Sequence, residues 1–229
     1  MSLNLNYEKY IAIIGDMVDS KKIVDRKTAQ QKYKDILSEI NHKYEKDIAA
    51  RFTITLGDEF QGLLKNKNNI MNIILEIEIA MAPIDMRFGI GIGDINTDIN
   101  FNLSKEIDGT AYHRARRMVE EIKVSQSRHA ERESNIMICS IDENIEIDKL
   151  LNSILSVCTV LKSRWTERQK VIIQAYLMNE ENQYKTAQSL NINQASVSKA
   201  LNNANFYSFK SAIDNIASFL SNESEKEND

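Results

Sequence analysis

Glycine and proline punctuate only one half of this 229-residue chain. All seven glycines, at positions 15, 57, 62, 89, 91, 93 and 109, and the single proline, Pro83, precede residue 110. Glycine supplies the positive φ of tight turns and allows close backbone approach, while proline interrupts helices. Strands and short turns therefore belong to the first half, and unbroken helices to the second. Helical apolar spacing takes over from about residue 145. The expected division is a sheet domain over 1–147, an all-α domain over 148–222, and a disordered tail over 223–229 within the polar, charged "SNESEKEND".

"YIAIIGD" reads as a short buried strand. Between Asp25 and Lys46, Ala29, Tyr33, Ile36, Leu37, Ile40 and Tyr44 recur on one helical face. Phe52, Ile54 and Leu56 alternate with Thr53 and Thr55 as in a half-buried strand, and a bend at Gly57-Asp58 leads into the strand "EFQGLL". A second helix carries Ile70, Ile73, Ile74, Ile77 and Met81. "MRFGIGIGDI" is again a strand, with a turn and a short partner strand expected after it. "GTAYHRARRMVEEI" is a third helix and "NIMICSI" a last strand. The order is α+β: a ferredoxin-like βαββαβ plan with an α-β extension, followed by helices.

In that plan the first and third strands are antiparallel neighbours, so the end of one lies beside the start of the other. Asp16 closes the first and Asp58 opens the third. Adjacent carboxylates repel unless a cation lies between them, and oxygen ligands suit Mg²⁺ or Mn²⁺. Each Asp taken alone is also an ordinary turn or cap residue.

Two further features point toward a ligand. In "RFGIGIG", Arg87, Gly89, Gly91 and Gly93 share one face, which marks close approach of an anionic ligand, a tight helix crossing or a bulge. The helix after Gly109 turns Ala111, Ala115, Met118 and Ile122 inward. His113 and Arg117, four apart, share another face, with Arg114 and Arg116 nearby. Such a basic helix start either attracts phosphate or forms a solvated face balanced by Glu120 and Glu121.

Composition excludes several classes. Hydrophobic residues make up 42% and charged residues 27%, as in ordinary globular proteins, and no apolar run reaches the roughly 20 residues of a membrane span. The first residues lack the apolar core of a signal peptide. Cys139 and Cys158 lack metal-ligand spacing and read as two buried thiols, which together with the missing leader points to the cytoplasm. A net charge of -4 confers no general affinity for nucleic acid.

"IIGDMVDS", "TLGDEF", "RFGIGIGDI" and "GTAYHRARRM", in that order, resemble the class III nucleotidyl cyclase and GGDEF-type palm domains. The resemblance implies that Asp16, the Met17 carbonyl and Asp58 hold metal, and that His113 and Arg117 occupy the positions of the cyclase Asn and Arg that stabilise the transition state. It implies a nucleotide or phosphate site that would include Arg87, Gly91, Gly109 and Arg114. The chain departs from the pattern where the cyclases carry a purine-reading Lys, here Thr55 or Ile54. Asp19 replaces the usual Gly after the first acid, and Leu56 replaces the first Gly of GGDEF. The whole chain resembles the SatD family.

In the second half, Thr166 and Gln169 form a capping box before "ERQKVIIQAYLM". "TAQSLNINQASVSKAL" places Ala187 in a short helix, a break at Asn191-Ile192-Asn193, and Val197 with Leu201 in the next helix. This resembles a helix-turn-helix of the sigma-factor type, with Asn193, Gln194, Ser196, Ser198 and Lys199 offered to DNA. From Thr166 to the end, six basic residues face eight acidic ones, so modest affinity and a homodimer are expected. The expectation is a DNA-binding regulator whose cyclase-like part senses a nucleotide or other phosphorylated molecule with Mg²⁺ or Mn²⁺. The alternatives are an active nucleotidyl cyclase or transferase, and a dimeric interaction module with a degenerate site.

Overall fold

The computed structural model describes residues 10–128, 134–140 and 145–222. The expected tail at 223–229 and the N-terminal residues before Tyr10 lie outside them. Strands β1 (Tyr10–Met17), β2 (Ile48–Leu56), β3 (Glu59–Leu64), β4 (Met86–Gly93) and β5 (Ile136–Cys139) form one sheet in the order β2-β3-β1-β4-β5. Within β2-β3-β1-β4 every pairing is antiparallel, as the split βαβ plan requires; β5 joins parallel to β4.

Helices α1 (Arg26–Lys43) and α2 (Ile70–Met81) cover one face of the sheet, and α3 (Thr110–Arg128) covers the other. The split follows from strand alternation. Ile11, Ile13 and Met17 of β1 join the core beneath α1 and α2, whereas Ala12 and Ile14 join Ala111, Ala115 and Val119 of α3. Gly57, at φ 62, makes the bend between β2 and β3 that a residue with a Cβ would strain.

The expected partner strand after β4 is not formed. β5 occupies that edge of β4, so residues 94–109 fold back as a loop, where Arg51 N–H donates to Phe101 O at 2.9 Å on the free edge of β2. Asn41 of α1 closes more of that edge by bonding both N–H and C=O of Phe52, at 2.8 and 2.9 Å. Edge groups answered this way offer no template for another strand.

The second half is helical: α4 (Ile145–Ser163), α5 (Glu167–Met178), α6 (Gln183–Ser189), α7 (Gln194–Asn203) and α8 (Phe206–Asn222). The expected capping box of Thr166 and Gln169 opens α5. α4 runs through residues 147 and 148 without a break. Its first half is tied to β5, where the Asn152 amide brackets Ile138, and Lys162 near its end pairs with Glu78 of α2. One apolar cluster runs from beneath α1 and α2 into the packing of α5, α7 and α8, with Trp165 against Phe209 at 5.1 Å between ring centroids. Among the described residues no helix is long and apolar enough to cross a membrane. Cys139 and Cys158 are both free and buried.

Candidate functional site

Register places Asp16 of β1 opposite Glu59 of β3 on one side and Arg87 of β4 on the other. Residues directly opposite in antiparallel strands share a face, so Glu59, Asp16 and Arg87 form a charged row beneath α3. Asp58 lies one residue earlier, at the same end of the sheet, where its carbonyl accepts from Met17 N–H at 3.1 Å. The two acids singled out in the sequence are thus neighbours along the strand ends.

Their carboxylates have separate partners. Asp16 is 6% exposed; one oxygen lies 3.4 Å from Arg87 Nη1 and the other 3.1 Å from Lys123 Nζ of α3. Asp58 accepts from the Ser20 hydroxyl at 2.5 Å. Glu59, equally buried, is held by the Arg116 guanidinium through contacts of 3.1 and 3.2 Å. Arg116 and Lys123 are seven apart, two turns of one helical stripe, and Gln126 completes the lining by accepting from Arg87 Nε at 2.7 Å. With Glu120 at 3.1 Å from Lys123, three cations balance three carboxylates.

Burial pushes the Asp16 carboxyl above its ordinary range, against the opposing pull of Lys123 and Arg87. For Lys123, burial disfavours the charge, yet Asp16 and Glu120 outweigh it and hold the ammonium above its usual pKa. The buried Tyr33 hydroxyl, on the other side of the sheet, lies well above its ordinary pKa, through burial first and then the charges of Asp16, Asp58 and Glu59.

As placed, Asp16 offers a divalent ion no free oxygen, while Asp58 bonds Ser20 through one carboxylate oxygen. Mg²⁺ needs free carboxylate oxygens, and those of Asp16 already face an ammonium and a guanidinium. Among the described residues no three His, Cys, Asp or Glu side chains converge as a ligand group. Met17 buries its side chain in the core, and the donor the resemblance implies there is its backbone carbonyl.

The glycines of β4 have an internal reason. A Cβ at Gly89 would stand 2.1 Å from Ala115 O, one at Gly91 2.1 Å from Ala111 O, and one at Gly93 2.4 Å from Thr110 Oγ1. α3 therefore lies directly on the strand, and of the readings left open by sequence the helix crossing accounts for all three. Gly109 is pressed against Asp94 O in the same way, and Arg114 donates to Ile92 O at 2.6 Å. His113 and Arg117 sit on the outer side of α3. His113 Nε2 is 3.2 Å from Asp108, and Arg117 contacts Cys139 Sγ at 2.8 Å and Glu121 at 3.8 Å. Neither joins the Asp16 row.

In the helical half, α6 and α7 are separated by residues 190–193, with Asn191 at φ 51 and Ile192 N–H donating to Ala187 O at 2.9 Å. Ala187, Val197 and Leu201 are buried, as their spacing predicts. Asn193 caps α7 by accepting from Ser196 N–H at 2.7 Å. Gln194 is half-buried and donates to Gln183 Oε1 of α6 at 2.6 Å. Ser198 is half-buried beside Asn202, while Ser196 and Lys199 are exposed.

Sequence reasoning did not single out Lys123, Gln126 or Gln183, and noted Glu59 beside Asp58 at the hairpin bend without assigning it to the site. For Glu59 the signal was present, because the strand pairing that brings Asp58 near Asp16 puts Glu59 directly opposite it.

The SatD family model matches residues 10–212 of the chain. A search of curated proteins finds no match. Among solved structures, a bacterial light-regulated adenylyl cyclase is similar at 14% identity and a TM-score of 0.41, over 57% of this chain and 74% of that one. The catalytic core of a rhodopsin-guanylyl cyclase with converted specificity shares 18% identity at a TM-score of 0.35, over 50% and 72% of the two chains. A regulator of polyketide synthase expression from Bifidobacterium adolescentis shares 12% identity at a TM-score of 0.28, over 86% and 74%.

Proposed function

The chain belongs to the SatD family, and we propose that it is a DNA-binding regulator in which α7 reads duplex DNA and the sheet domain is its scaffold. The observation that carries this reading is the charge distribution around α6 and α7. No Asp or Glu occurs from Asn182 to Ile213, a stretch that holds Lys185, Lys199 and Lys210, although the chain as a whole is acidic. Duplex binding draws on phosphate contacts; Lys185 is paired with Glu180 and Lys210 with Glu181 and Asp214, just outside that stretch, so the cation that α7 offers to phosphate is Lys199. α7 exposes Ser196, Lys199 and Asn202, and its cap Asn193 is exposed too, residue types suited to base edges and phosphates.

A 10-residue helix with one exposed lysine makes few phosphate contacts, so the reader works as a homodimer on two half-sites. Leu150, Val157 and Val160 give α4 an exposed apolar stripe that a second copy can cover. A nucleotidyl cyclase or transferase reaction would require Arg87 and Lys123 to leave Asp16, so the charged row is assigned a structural part.

The test is retention of a random duplex pool by the full chain across a salt series. Retention that falls steeply with salt and weakens in Lys199→Ala supports the reading; no retention at low salt overturns it.

A further inference from the structure

The N-terminal ends of three helices are joined by one amide. Gln183, at the start of α6, accepts from Gln194 Nε2 at 2.6 Å and donates its own Nε2 to the Tyr207 hydroxyl at 2.7 Å. Gln194 is the first residue of α7, and Tyr207 the second of α8. Asn182 and Asn193 cap α6 and α7 immediately before the two glutamines, which holds both helix starts in place.

We propose that Gln183 is a positioning residue that fixes the amide of Gln194 to read adenine in the major groove. This rests on the DNA-reading function proposed above. The primary amide has distinct ends, an acceptor oxygen and a donor NH₂. In the arrangement found, the Tyr207 hydroxyl accepts from the NH₂ of Gln183, whose oxygen therefore faces Gln194 and takes its NH₂. The Gln194 oxygen and its second N–H are left for another partner. An acceptor beside a donor complements the N6 amino group and N7 of adenine, the pairing that glutamine makes bidentately. Gln194 stands where a reading helix addresses base edges, at its N-terminal end.

The test is selection of bound sites from a random duplex pool by the full chain, sequenced for wild type and variants. Wild type selects adenine at one fixed position per half-site, by roughly tenfold or more. Gln194→Ala loses that preference and keeps the others. Gln183→Glu retains the acceptor and retains adenine. Gln183→Lys presents only donors, so the Gln194 amide turns its NH₂ outward and the preference moves to guanine, which offers two acceptors. Gln183→Leu removes both roles and relaxes the position. A merely structural Gln183 would lower affinity equally for all sites. An unchanged adenine preference in both Gln183→Lys and Gln183→Leu overturns the inference while leaving the reader intact. Wild type that enriches no duplex overturns both.

Discussion

The ammonium of Lys123 stands 3.1 Å from a carboxylate oxygen of Asp16, across the interface between α3 and β1. It meets the carboxylate where the cyclase resemblance calls for a divalent ion. The Arg87 guanidinium takes the other oxygen, so the charge of a buried acid is balanced from within the chain.

The melting temperature of the wild-type protein is therefore expected to be indifferent to millimolar Mg²⁺ or Mn²⁺. Lys123→Met should cost about 2 kcal/mol, below the range for a fully buried pair because Lys123 is partly exposed and Arg87 remains. A saturable stabilisation of wild type by Mg²⁺, absent in Asp16→Asn, would refute this assignment. Thermal melting with and without metal decides it.

Gly91→Ala should destabilise by about 3 kcal/mol, because its Cβ would meet the backbone oxygen of Ala111 and the backbone of a packed helix cannot rotate away. Denaturant titration with intrinsic fluorescence measures it. Near-neutral behaviour would mean that α3 stands further from the sheet than described.

Stability should fall at alkaline pH. Tyr33, Tyr44 and Tyr112 all have hydroxyl pKa values raised by burial, so the folded state holds protons that the unfolded chain releases from about pH 10. Their contribution is complete below that pH and is lost as pH rises through the folded values. Tyr112 gives the sharper variant: its hydroxyl is buried without a hydrogen-bond partner among the described residues, while the Gln61 amide is spent on Ser104 O at 2.6 Å. Tyr112→Phe should be neutral or stabilising at pH 7, by up to about 1 kcal/mol, and should flatten the alkaline decline. Melting temperatures between pH 8 and 11 test both.

Lys162 of α4 and Glu78 of α2 should be strongly coupled. The ammonium lies 2.5 and 2.7 Å from the two carboxylate oxygens, and Asn135 bonds the same carboxylate, with little exposure on either side. Each alanine variant should cost about 3 kcal/mol, and the double variant clearly less than the sum of the two. Additive losses in a double-mutant cycle would remove this pair as a fastening between the sheet domain and the helices.

Much of the fold was legible in the residues. Alternation in Phe52, Ile54 and Leu56, the apolar stripe from Ala29 to Tyr44 and the capping box at Thr166 are local patterns, decided by period and by chemistry within a few positions. The neighbouring placement of Asp16 and Asp58 followed from the antiparallel pairing of β1 and β3. The missing strand after β4 did not follow, because β5, more than forty residues further on, competes for the same edge, and local preference carries no record of that competitor.

Sequence by itself determined the strands and helices that a local period marks, though not the edge beyond β4, and for Gly89, Gly91 and Gly93 it left a ligand, a helix crossing or a bulge open. Only the tertiary structure decided that it was the crossing of α3, and which partners the acids would take. The reason is that periodicity and turn chemistry act between residues near in the chain. Charge compensation at Asp16 depends on Arg87 and Lys123, whose distance from it is set by register and helix docking. The orientation of the Gln194 amide likewise depends on Gln183 and Tyr207, which meet only after three helices have packed.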